Sequence, residues 1–443
     1  MENKNSIKRR KTKQACVFLL VLIALSSAVF SISVKHAYPA GTDSGEYSWP
    51  MFHYDLGRTG LTESPAPTTN NLLWRFRTQD IVDSSPAVVG GIVYIGSRDG
   101  KIYALNATTG DEIWSYKTGN WFFFDSPAVA DGKVFIGSGD QRVYCFDAKD
   151  GTVLWRFKMG WEIASSPAVV DGIVFIGGAD KFVYALNETT GELMWNYSTN
   201  CFVTSPPAVV NGKVFIGGWD PSYEFYCLDE MTGKLIWSYK TRGVIVGSPA
   251  VVDGKVFFGE HAVPGRVVAL DENTGRQIWD YQTVLSVLSS PGVAHGKVIF
   301  GSWDKSIYAL DESSGSVLWK YETGGPVLSS ATIADSMVFI GSDDWRIYAL
   351  DEKTGQPIWS YKTGLNVKST PAVVNGKLFV GSEDGYVYCF GEGAGILPQP
   401  SGSDQLDIKN YEFVALVVMA VAVIGSYLFV RFRRRIEPTR VQS

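Results

Sequence analysis

The sequence predicts an all-β fold, an eight-bladed β-propeller of four-stranded antiparallel blades with a membrane-spanning helix at the termini. Two observations predict it. The first is a repeated strand that ends in tryptophan, and the second is the set of turn signals between the strands of each repeat. Neighbouring tryptophans of this series are 40 to 42 positions apart, a period typical of propeller blades: Trp74, Trp114, Trp155, Trp195, Trp237, Trp279, Trp319 and Trp359.

Each repeat contains four segments with the composition of strands. It opens with Ser-Pro-Ala-Val-Val or a close variant, and an Asp-Gly or Asn-Gly pair such as Asp131-Gly132 follows. That pair is the strongest short hairpin signal, because both of its residues must adopt positive φ. A β-branched strand, a polar loop, a Val-Tyr-Ala-Leu-Asp strand and a Thr-Gly turn then lead to the strand with tryptophan. This order predicts one antiparallel blade per repeat.

The two ends of the repeat array predict how the ring closes. The last repeat, residues 369–390, supplies three strands and no tryptophan strand. The first tryptophan strand, around Trp74, has no earlier strands of its own. We therefore expect these two pieces to form one blade, which leaves no broad exposed sheet edge.

The segments outside the repeats are predicted from their amino-acid composition. The first 14 residues are basic, and an apolar run over 15–34 predicts a signal peptide or an uncleaved signal anchor. Arginines after the second apolar run predict a cytoplasmic tail and an extracytoplasmic propeller in the cell membrane. The predicted organisation is a basic N-terminus with signal or anchor at 1–37, an extended lead-in at 38–71, the propeller at 72–390, a Gly/Pro/Ser linker at 391–412, a transmembrane helix at 413–430 and a basic tail at 431–443.

Charge and cysteine content exclude several classes of function. The formal net charge is −5, and the ends are strongly basic, so the body between them is acidic. An acidic body repels phosphate backbones and disfavours nucleic-acid partners. The five cysteines show no metal-ligand spacing. Three of them, Cys145, Cys227 and Cys389, occupy a position held by alanine in other repeats, and we expect buried, unpaired side chains there.

The repeated pattern Ala309-Leu310-Asp311…Gly315…Trp319, found again as Ala349-Leu350-Asp351…Gly355…Trp359, resembles the PQQ enzyme repeat of quinoprotein-like and BamB-like propellers. The resemblance covers residues 49–390. It implies that each tryptophan docks flat between blades, near the glycine of a neighbouring repeat. Seven tryptophans would take this structural role: Trp114, Trp155, Trp195, Trp237, Trp279, Trp319 and Trp359.

The family resembled includes both quinone-dependent dehydrogenases and non-catalytic scaffolds. The dehydrogenases hold calcium with Glu, Asn and Asp, use an Asp base and carry a vicinal Cys-Cys ring, whereas this chain has no adjacent cysteines and no long blade insertions. We therefore expect no catalytic residues, no metal site and no bound cofactor, although PQQ stays possible and the question of an enzyme stays open. Aspartates that recur at one loop position are expected to cap turns: Asp99, Asp140, Asp180, Asp220, Asp304, Asp344 and Asp384.

One face of the predicted propeller differs between repeats. The loops between strands two and three and between blades lie at this top face and vary greatly, as functional loops on a rigid scaffold do. They carry aromatic residues that predict a binding surface, and the alternative is that they fill the central funnel. Basic residues beside them, such as Arg98 and Lys368, suggest an anionic ligand or peptide. The candidate binding residues are Trp121, Phe122, Phe123, Phe124, Trp161, Phe202, Trp219, Trp303 and Trp345.

These observations predict a membrane-anchored, extracytoplasmic and monomeric propeller that acts as a non-catalytic protein-interaction or envelope scaffold. Two alternatives stay open. One is a reduced form of a PQQ-dependent alcohol or sugar dehydrogenase, and the other is a carbohydrate-binding propeller, since exposed aromatic rings stack on sugars.

Overall fold

The computed structural model describes residues 47–120, 125–219 and 223–393. The predicted signal or anchor, the predicted transmembrane helix and the basic tail lie outside the described residues. The described residues form eight sheets of the propeller type, and every blade is a four-stranded antiparallel meander. This confirms the predicted all-β propeller, while the predicted terminal helices lie outside what the structure describes. None of the described residues forms an apolar helix of membrane-spanning length.

Two strands precede the first complete blade, β1 (Leu61–Thr62) and β2 (Leu72–Arg77). Blade 1 comprises β3 (Ala87–Val89), β4 (Ile92–Gly96), β5 (Lys101–Asn106) and β6 (Glu112–Lys117). Blade 2 comprises β7 (Ala128–Ala130), β8 (Lys133–Ser138), β9 (Arg142–Asp147) and β10 (Val153–Lys158). Blade 3 comprises β11 (Ala168–Val170), β12 (Ile173–Gly177), β13 (Phe182–Asn187) and β14 (Leu193–Ser198). Blade 4 comprises β15 (Ala208–Val210), β16 (Lys213–Gly217), β17 (Glu224–Asp229) and β18 (Leu235–Lys240).

The second half of the ring repeats this plan. Blade 5 comprises β19 (Ala250–Val252), β20 (Lys255–Glu260), β21 (Gly265–Asp271) and β22 (Gln277–Thr283). Blade 6 comprises β23 (Gly292–Ala294), β24 (Lys297–Ser302), β25 (Ser306–Asp311) and β26 (Val317–Glu322). Blade 7 comprises β27 (Thr332–Ala334), β28 (Met337–Ser342), β29 (Arg346–Asp351) and β30 (Pro357–Lys362), with β1 added parallel to β27. Blade 8 comprises β31 (Ala372–Val374), β32 (Lys377–Gly381), β33 (Tyr386–Gly391) and β2.

Blade 8 closes the ring as the sequence predicts. Strand β2 pairs antiparallel with β33, with Trp74 opposite Cys389 and Arg77 opposite Tyr386. The first strands of neighbouring blades are adjacent all round the ring, including those of blades 8 and 1. They therefore surround the central axis.

The hairpin turns between the first two strands adopt the predicted conformation. Asp131 has φ of 45° and Gly132 has φ of 70°, and Asn375 and Gly376 have 52° and 74°. Two consecutive positive φ angles are the signature of a type I′ turn, which matches the twist of the flanking strands. The predicted buried cysteines are also found: Cys145, Cys227 and Cys389 lie on third strands with no exposed surface and as free thiols.

Seven of the eight fourth-strand tryptophans lie on the glycine of the turn between the third and fourth strands of the next blade, and the exception is Trp359. A Cβ built on Gly151, which has φ of 75°, would lie 2.6 Å from the Trp114 ring. The indole N–H of Trp114 donates to the carbonyl oxygen of Ala148 at 3.0 Å. The same contact joins Trp155 to Gly191 in the next pair of blades. Glycine is needed here both for its positive φ and for the space that the indole occupies.

The lead-in segment fills the lower end of the central channel. Its carbonyl oxygens accept hydrogen bonds from the first strands of successive blades, including Val88 N to Trp49 O at 2.7 Å and Val251 N to Gly57 O at 2.7 Å. The buried Arg58 guanidinium donates to the carbonyl oxygens of Pro167 and Pro207, both at 2.9 Å. The segment 49–62, which we call the plug, is therefore a part of the fold rather than only an extended leader.

His53 holds the plug at its centre. Its imidazole is fully buried, with Nδ1 at 2.6 Å from the Arg58 carbonyl oxygen and Nε2 at 2.9 Å from that of Ala331. Burial is the main cause that lowers the pKa of His53 to about 4. The ring is therefore neutral at physiological pH and donates to one of the two carbonyls.

Candidate protein-interaction face

The propeller has two faces of different character. The bottom face carries the turns between strands one and two and between strands three and four, which contact each other, as in the bond from Ala148 N to Gly132 O at 2.9 Å. The top face carries the loops between strands two and three and the connections between blades, as in the bond from Thr118 N to Gly100 O at 2.9 Å. This places the predicted binding loops together on one side of the ring.

The recurring aspartates order the top-face loops. The carboxylate of Asp140 accepts hydrogen bonds from Arg142 N at 3.2 Å and from Tyr144 Oη at 2.6 Å within blade 2. It also accepts from Gly119 N at 3.0 Å, on the connection from blade 1. One carboxylate thus caps a turn and fastens it to the preceding blade. The same arrangement recurs at Asp99, Asp180, Asp344 and Asp384, whereas Asp220 lies outside the described residues.

Four of the predicted aromatic residues are exposed on this face. The exposed fractions are 60% for Trp161, 42% for Phe202, 48% for Trp219 and 40% for Trp345. The backbones of Phe202 and Trp219 are paired by two hydrogen bonds, at 3.0 and 2.7 Å, so the structure brings these two residues together. The other two stand on separate blades. The ordered backbone beneath them means that these rings are presented on a rigid support.

Trp303 differs from the other predicted aromatic residues because it is largely covered. Its ring packs edge-on against the imidazole of His261, with centroids 5.5 Å apart. Burial lowers the pKa of His261, so this imidazole is neutral. The structure therefore agrees better with the alternative that Trp303 fills the central funnel than with the prediction that it lies on an open binding surface. Four further candidate binding residues, Trp121, Phe122, Phe123 and Phe124, lie outside the described residues.

Two positions of every repeat lie at the top ends of the first and second strands, the strands nearest the central axis, and we call this set of residues the mouth. One position lies three residues before the Pro, or the Ala that replaces it, at the start of the first strand's motif. The other position follows the second strand of the same blade. On blades 4 to 6 the second position carries aromatic rings. The described residues of the mouth are Asp83, Arg98, Gly139, Ala164, Ala179, Thr204, Trp219, Val246, His261, Leu288, Trp303, Leu328, Asp343, Lys368 and Glu383.

The charged residues of the mouth belong to three neighbouring blades, 7, 8 and 1. Arg98 pairs with Asp83 at 2.5 Å, and Lys368 pairs with Glu383 at 2.5 Å. Asp343 is a fifth charge of this cluster, and burial raises its pKa to about 6. Three carboxylates against two cations leave a net charge of −1. The sequence suggested an anionic ligand here, but the two cations are already paired, so this charge disfavours an anion.

Of the buried polar atoms of the mouth without a hydrogen-bond partner among the described residues, four lie on blades 4 to 7. They are Thr204 Oγ1, His261 Nδ1, Trp303 Nε1 and Asp343 Oδ1. These four residues belong to blades 4, 5, 6 and 7, so they form one continuous arc of the mouth. A buried polar atom without a partner costs free energy, and native proteins keep few of them.

Metal-ligating side chains are not grouped in the described part of the chain. No three His, Cys, Asp or Glu side chains among residues 47–120, 125–219 and 223–393 are placed to hold a metal ion. A PQQ molecule is itself polyanionic, and the net negative mouth is a poor match for it.

The closed ring of four-stranded blades, in which seven of the eight fourth-strand indoles dock on the glycine of the following blade, defines the PQQ-repeat class of β-propellers. A sequence profile of the family described as "Outer membrane protein assembly factor BamB" matches residues 63–201, 139–220, 183–302 and 263–432. These matches together span more than half of the chain, and the chain belongs to this family. The resemblance inferred from the repeats is thereby confirmed.

Solved structures share the fold at low identity. BamB from Moraxella catarrhalis has 21% identity and a TM-score of 0.63, over 72% of this chain and 99% of that one. The quinohemoprotein alcohol dehydrogenase from Comamonas testosteroni has 17% identity and a TM-score of 0.70, over 81% and 82% of the two chains. The computationally designed Ika8 protein has 19% identity and a TM-score of 0.66, over 73% and 100%. At these identities the likeness shows the fold alone. No curated protein sequence matches this chain.

Sequence reasoning missed two features that depend on distant contacts. The plug residues Arg58 and His53 lie in the segment that the sequence predicts only as an extended lead-in. The pairing of Asp83 with Arg98 was also missed. A signal existed for the second feature, because aspartate and lysine replace apolar or small residues at one repeat position, at Asp83 and Lys368.

Proposed function

We propose that this protein is a membrane-anchored, extracytoplasmic and non-catalytic scaffold that binds another protein of the cell envelope through its top face. Membership in a family described as an outer membrane assembly factor supports an envelope role. The apolar segments at 15–34 and 413–430 would supply the anchor. The basic tail would stay in the cytoplasm, and a single propeller would suffice for binding.

The observation that carries this proposal is the position of the two chain ends relative to the aromatic residues. Tyr47 N donates to Asn375 Oδ1 in a bottom-face turn at 3.3 Å. Gly391 N donates to Asn71 O at 3.1 Å, beside the end of β33. Both ends of the described chain therefore leave from the bottom of blade 8. Tethers attached there would hold the bottom face towards the membrane and the top face away from it.

The top face then presents what a protein interface needs. Trp and Tyr side chains anchor interfaces through large apolar area with little loss of conformational entropy. Phe202 and Trp219 combine high exposure with a backbone that is fastened by hydrogen bonds. Trp161 is also highly exposed, and its two neighbours are fastened, since Gly160 N donates to Asp180 Oδ2 at 2.7 Å and Glu162 O accepts from Ala179 N at 3.2 Å. A rigid support reduces the entropic cost of binding. These residues are our proposed anchors.

Site-specific photo-cross-linking in the full-length chain, in its own membrane, tests this proposal. A photoreactive residue at Phe202 or Trp219 is expected to capture a defined protein. The matched control positions are Met231, which is 61% exposed in a bottom-face turn, and Leu154, which is 47% exposed on an outer strand. Equal capture from all four positions would contradict a top-face interface.

Two further measurements separate the parts of the proposal. Flotation of the full chain with lipid vesicles after alkaline washing is expected, and recovery in the soluble fraction would contradict the anchor. Turnover of alcohols or sugars by the chain supplied with PQQ and calcium would contradict the non-catalytic role.

A further inference from the structure

We propose that the mouth is the specificity site of the interface, and that it takes an extended segment of the partner with a lysine or arginine side chain against Asp343. This inference rests on the proposed function. The partner segment is expected to carry a basic residue next to an apolar one.

The first argument is charge. Asp83 and Glu383 each have a cation within 2.5 Å, at Arg98 and Lys368 respectively. Asp343 has no such ion pair among the described residues, and its Oδ1 accepts no hydrogen bond. A carboxylate that is partly buried without its own cation is stabilised when a cation binds beside it. A basic side chain is the group from a protein partner that supplies this charge.

The second argument is the arc of unpartnered atoms. Trp303 Nε1 can only donate a hydrogen bond, whereas Asp343 Oδ1 accepts one when the carboxylate is ionised. These atoms belong to adjacent blades, 6 and 7, and both are buried without a partner in the described part of the chain. An extended peptide offers carbonyl acceptors and a basic donor along one line. It can therefore satisfy both atoms at once.

The third argument is the aromatic side of the mouth. Blades 4, 5 and 6 carry Trp219, His261 and Trp303, and the first of these is 48% exposed. An apolar side chain next to the basic residue would cover this exposed ring. The plug closes the channel from below, because Arg58 is fully buried across it. A partner segment therefore enters from the top face alone.

The test is a selection of random heptapeptides displayed on phage, with the full-length chain in detergent as the target. Bound peptides are expected to be enriched in Lys or Arg beside an apolar residue. The variant Asp343→Asn is expected to weaken binding of the selected peptides by about tenfold or more, because it removes the charge and keeps the shape. Trp303→Phe, which removes the indole N–H, is expected to weaken it several-fold.

The matched control is Asp335→Asn, the same change in an exposed bottom-face turn whose φ of 48° suits asparagine. It is expected to leave peptide binding unchanged. Selected peptides without basic residues, an equal effect of the two Asp→Asn changes, or no selected peptide at all would each overturn the inference. Cross-linking from Phe202 that persists alongside any of these results would leave the proposed function standing, so the two failures are distinguishable.

Discussion

The indole N–H of Trp359 donates to the carbonyl oxygen of Pro67 at 3.2 Å. The other seven docked tryptophans donate to the turn that follows the third strand of the next blade, as Trp319 does to Glu352 at 2.9 Å. Blade 8 has no such turn, because its third strand β33 and its fourth strand β2 lie at opposite ends of the propeller sequence. The lead-in segment supplies the missing acceptor. The lead-in segment therefore completes the contact between blades 7 and 8 and also closes the lower end of the channel.

Replacing Arg58 by methionine tests how much the plug contributes to stability. The change leaves the carbonyl oxygens of Pro167 and Pro207 buried without their donor, and each such group costs about 1–3 kcal/mol. We expect a loss of roughly 2–5 kcal/mol in the free energy of unfolding, measured by urea denaturation. Arg156→Met, at an exposed position of β10, is the control and should change it by less than about 0.5 kcal/mol. Equal losses would mean that the plug is dispensable.

The need for glycine beneath each docked tryptophan can be tested by comparing two Gly→Ala variants. One is at a glycine that contacts a tryptophan ring, and the other is at a glycine with a similar φ and no such contact. Gly151 and Gly132 have φ of 75° and 70°, but a Cβ at Gly151 would lie 2.6 Å from the Trp114 ring, whereas none lies within 4 Å at Gly132. Gly132→Ala therefore reports backbone strain, on the order of 1 kcal/mol. Gly151→Ala adds overpacking, on the order of a further 1–3 kcal/mol. Thermal unfolding that shows the two variants to be equally stable would refute the docking argument.

The pH dependence of stability offers a test of Asp343. Its pKa is raised from the ordinary 3.8 to about 6, chiefly by burial. The folded protein therefore holds this proton more tightly than the unfolded chain does, and stability falls as pH rises from about 4 to about 6. The variant Asp343→Asn has no carboxyl group to ionise at this position. Its gain in the free energy of unfolding over the natural protein should therefore be near zero below about pH 4. The gain should reach at most about 3 kcal/mol near pH 7.

Urea unfolding of the two proteins at both pH values measures this difference. Asp335→Asn, at an exposed turn, is the control and should show no such pH-dependent gain. A gain for Asp343→Asn that is as large at low pH as at neutral pH would contradict the assignment, because a neutral carboxyl and an amide differ little in charge.

Local sequence patterns predicted the blades because their determinants are local. The Asp131-Gly132 pair and the spacing between Gly151 and Trp155 each specify a turn or strand within a few residues. The closing pair of β2 and β33 also followed, since a strand without partners and a blade without its last strand complement each other. The exposed Phe202 and Trp219 were found because loops that differ between repeats stand out against the repeat.

What could not be predicted depends on contacts between distant residues. Arg58 reaches Pro207, 149 positions away, and His53 lies beside Ala331, 278 positions away. No periodicity in the sequence marks such contacts, because each occurs once. The covered position of Trp303 has the same cause, since its neighbour His261 belongs to the preceding blade. The repeats thus specify the ring, and the departures from the repeat specify the mouth and the plug.

Blade 5 replaces the recurring aspartate by a buried ion pair, which gives the last prediction. Glu260 and Arg266 lie opposite each other on β20 and β21, and the guanidinium forms two hydrogen bonds of 2.7 Å with the carboxylate. Their exposed fractions are 0% and 2%. Arg266→Met would leave a buried carboxylate without its cation, which costs about 3–5 kcal/mol. Urea unfolding should show this loss.

Blade 7 supplies the control for this pair. Arg346 holds the corresponding register position, opposite Ser342 rather than a carboxylate, and donates to Ser360 Oγ at 3.2 Å. Arg346→Met should therefore cost less than about 1 kcal/mol. The double change Glu260→Ser with Arg266→Met copies the serine of blade 7 and should recover most of the lost stability, because the buried carboxylate is removed together with its cation. Asp280, which also loses Arg266, is 23% exposed and keeps the hydrogen bond from Gln277 Nε2 at 2.8 Å. A double variant as unstable as Arg266→Met alone would show that the loss comes from packing rather than from the buried charge.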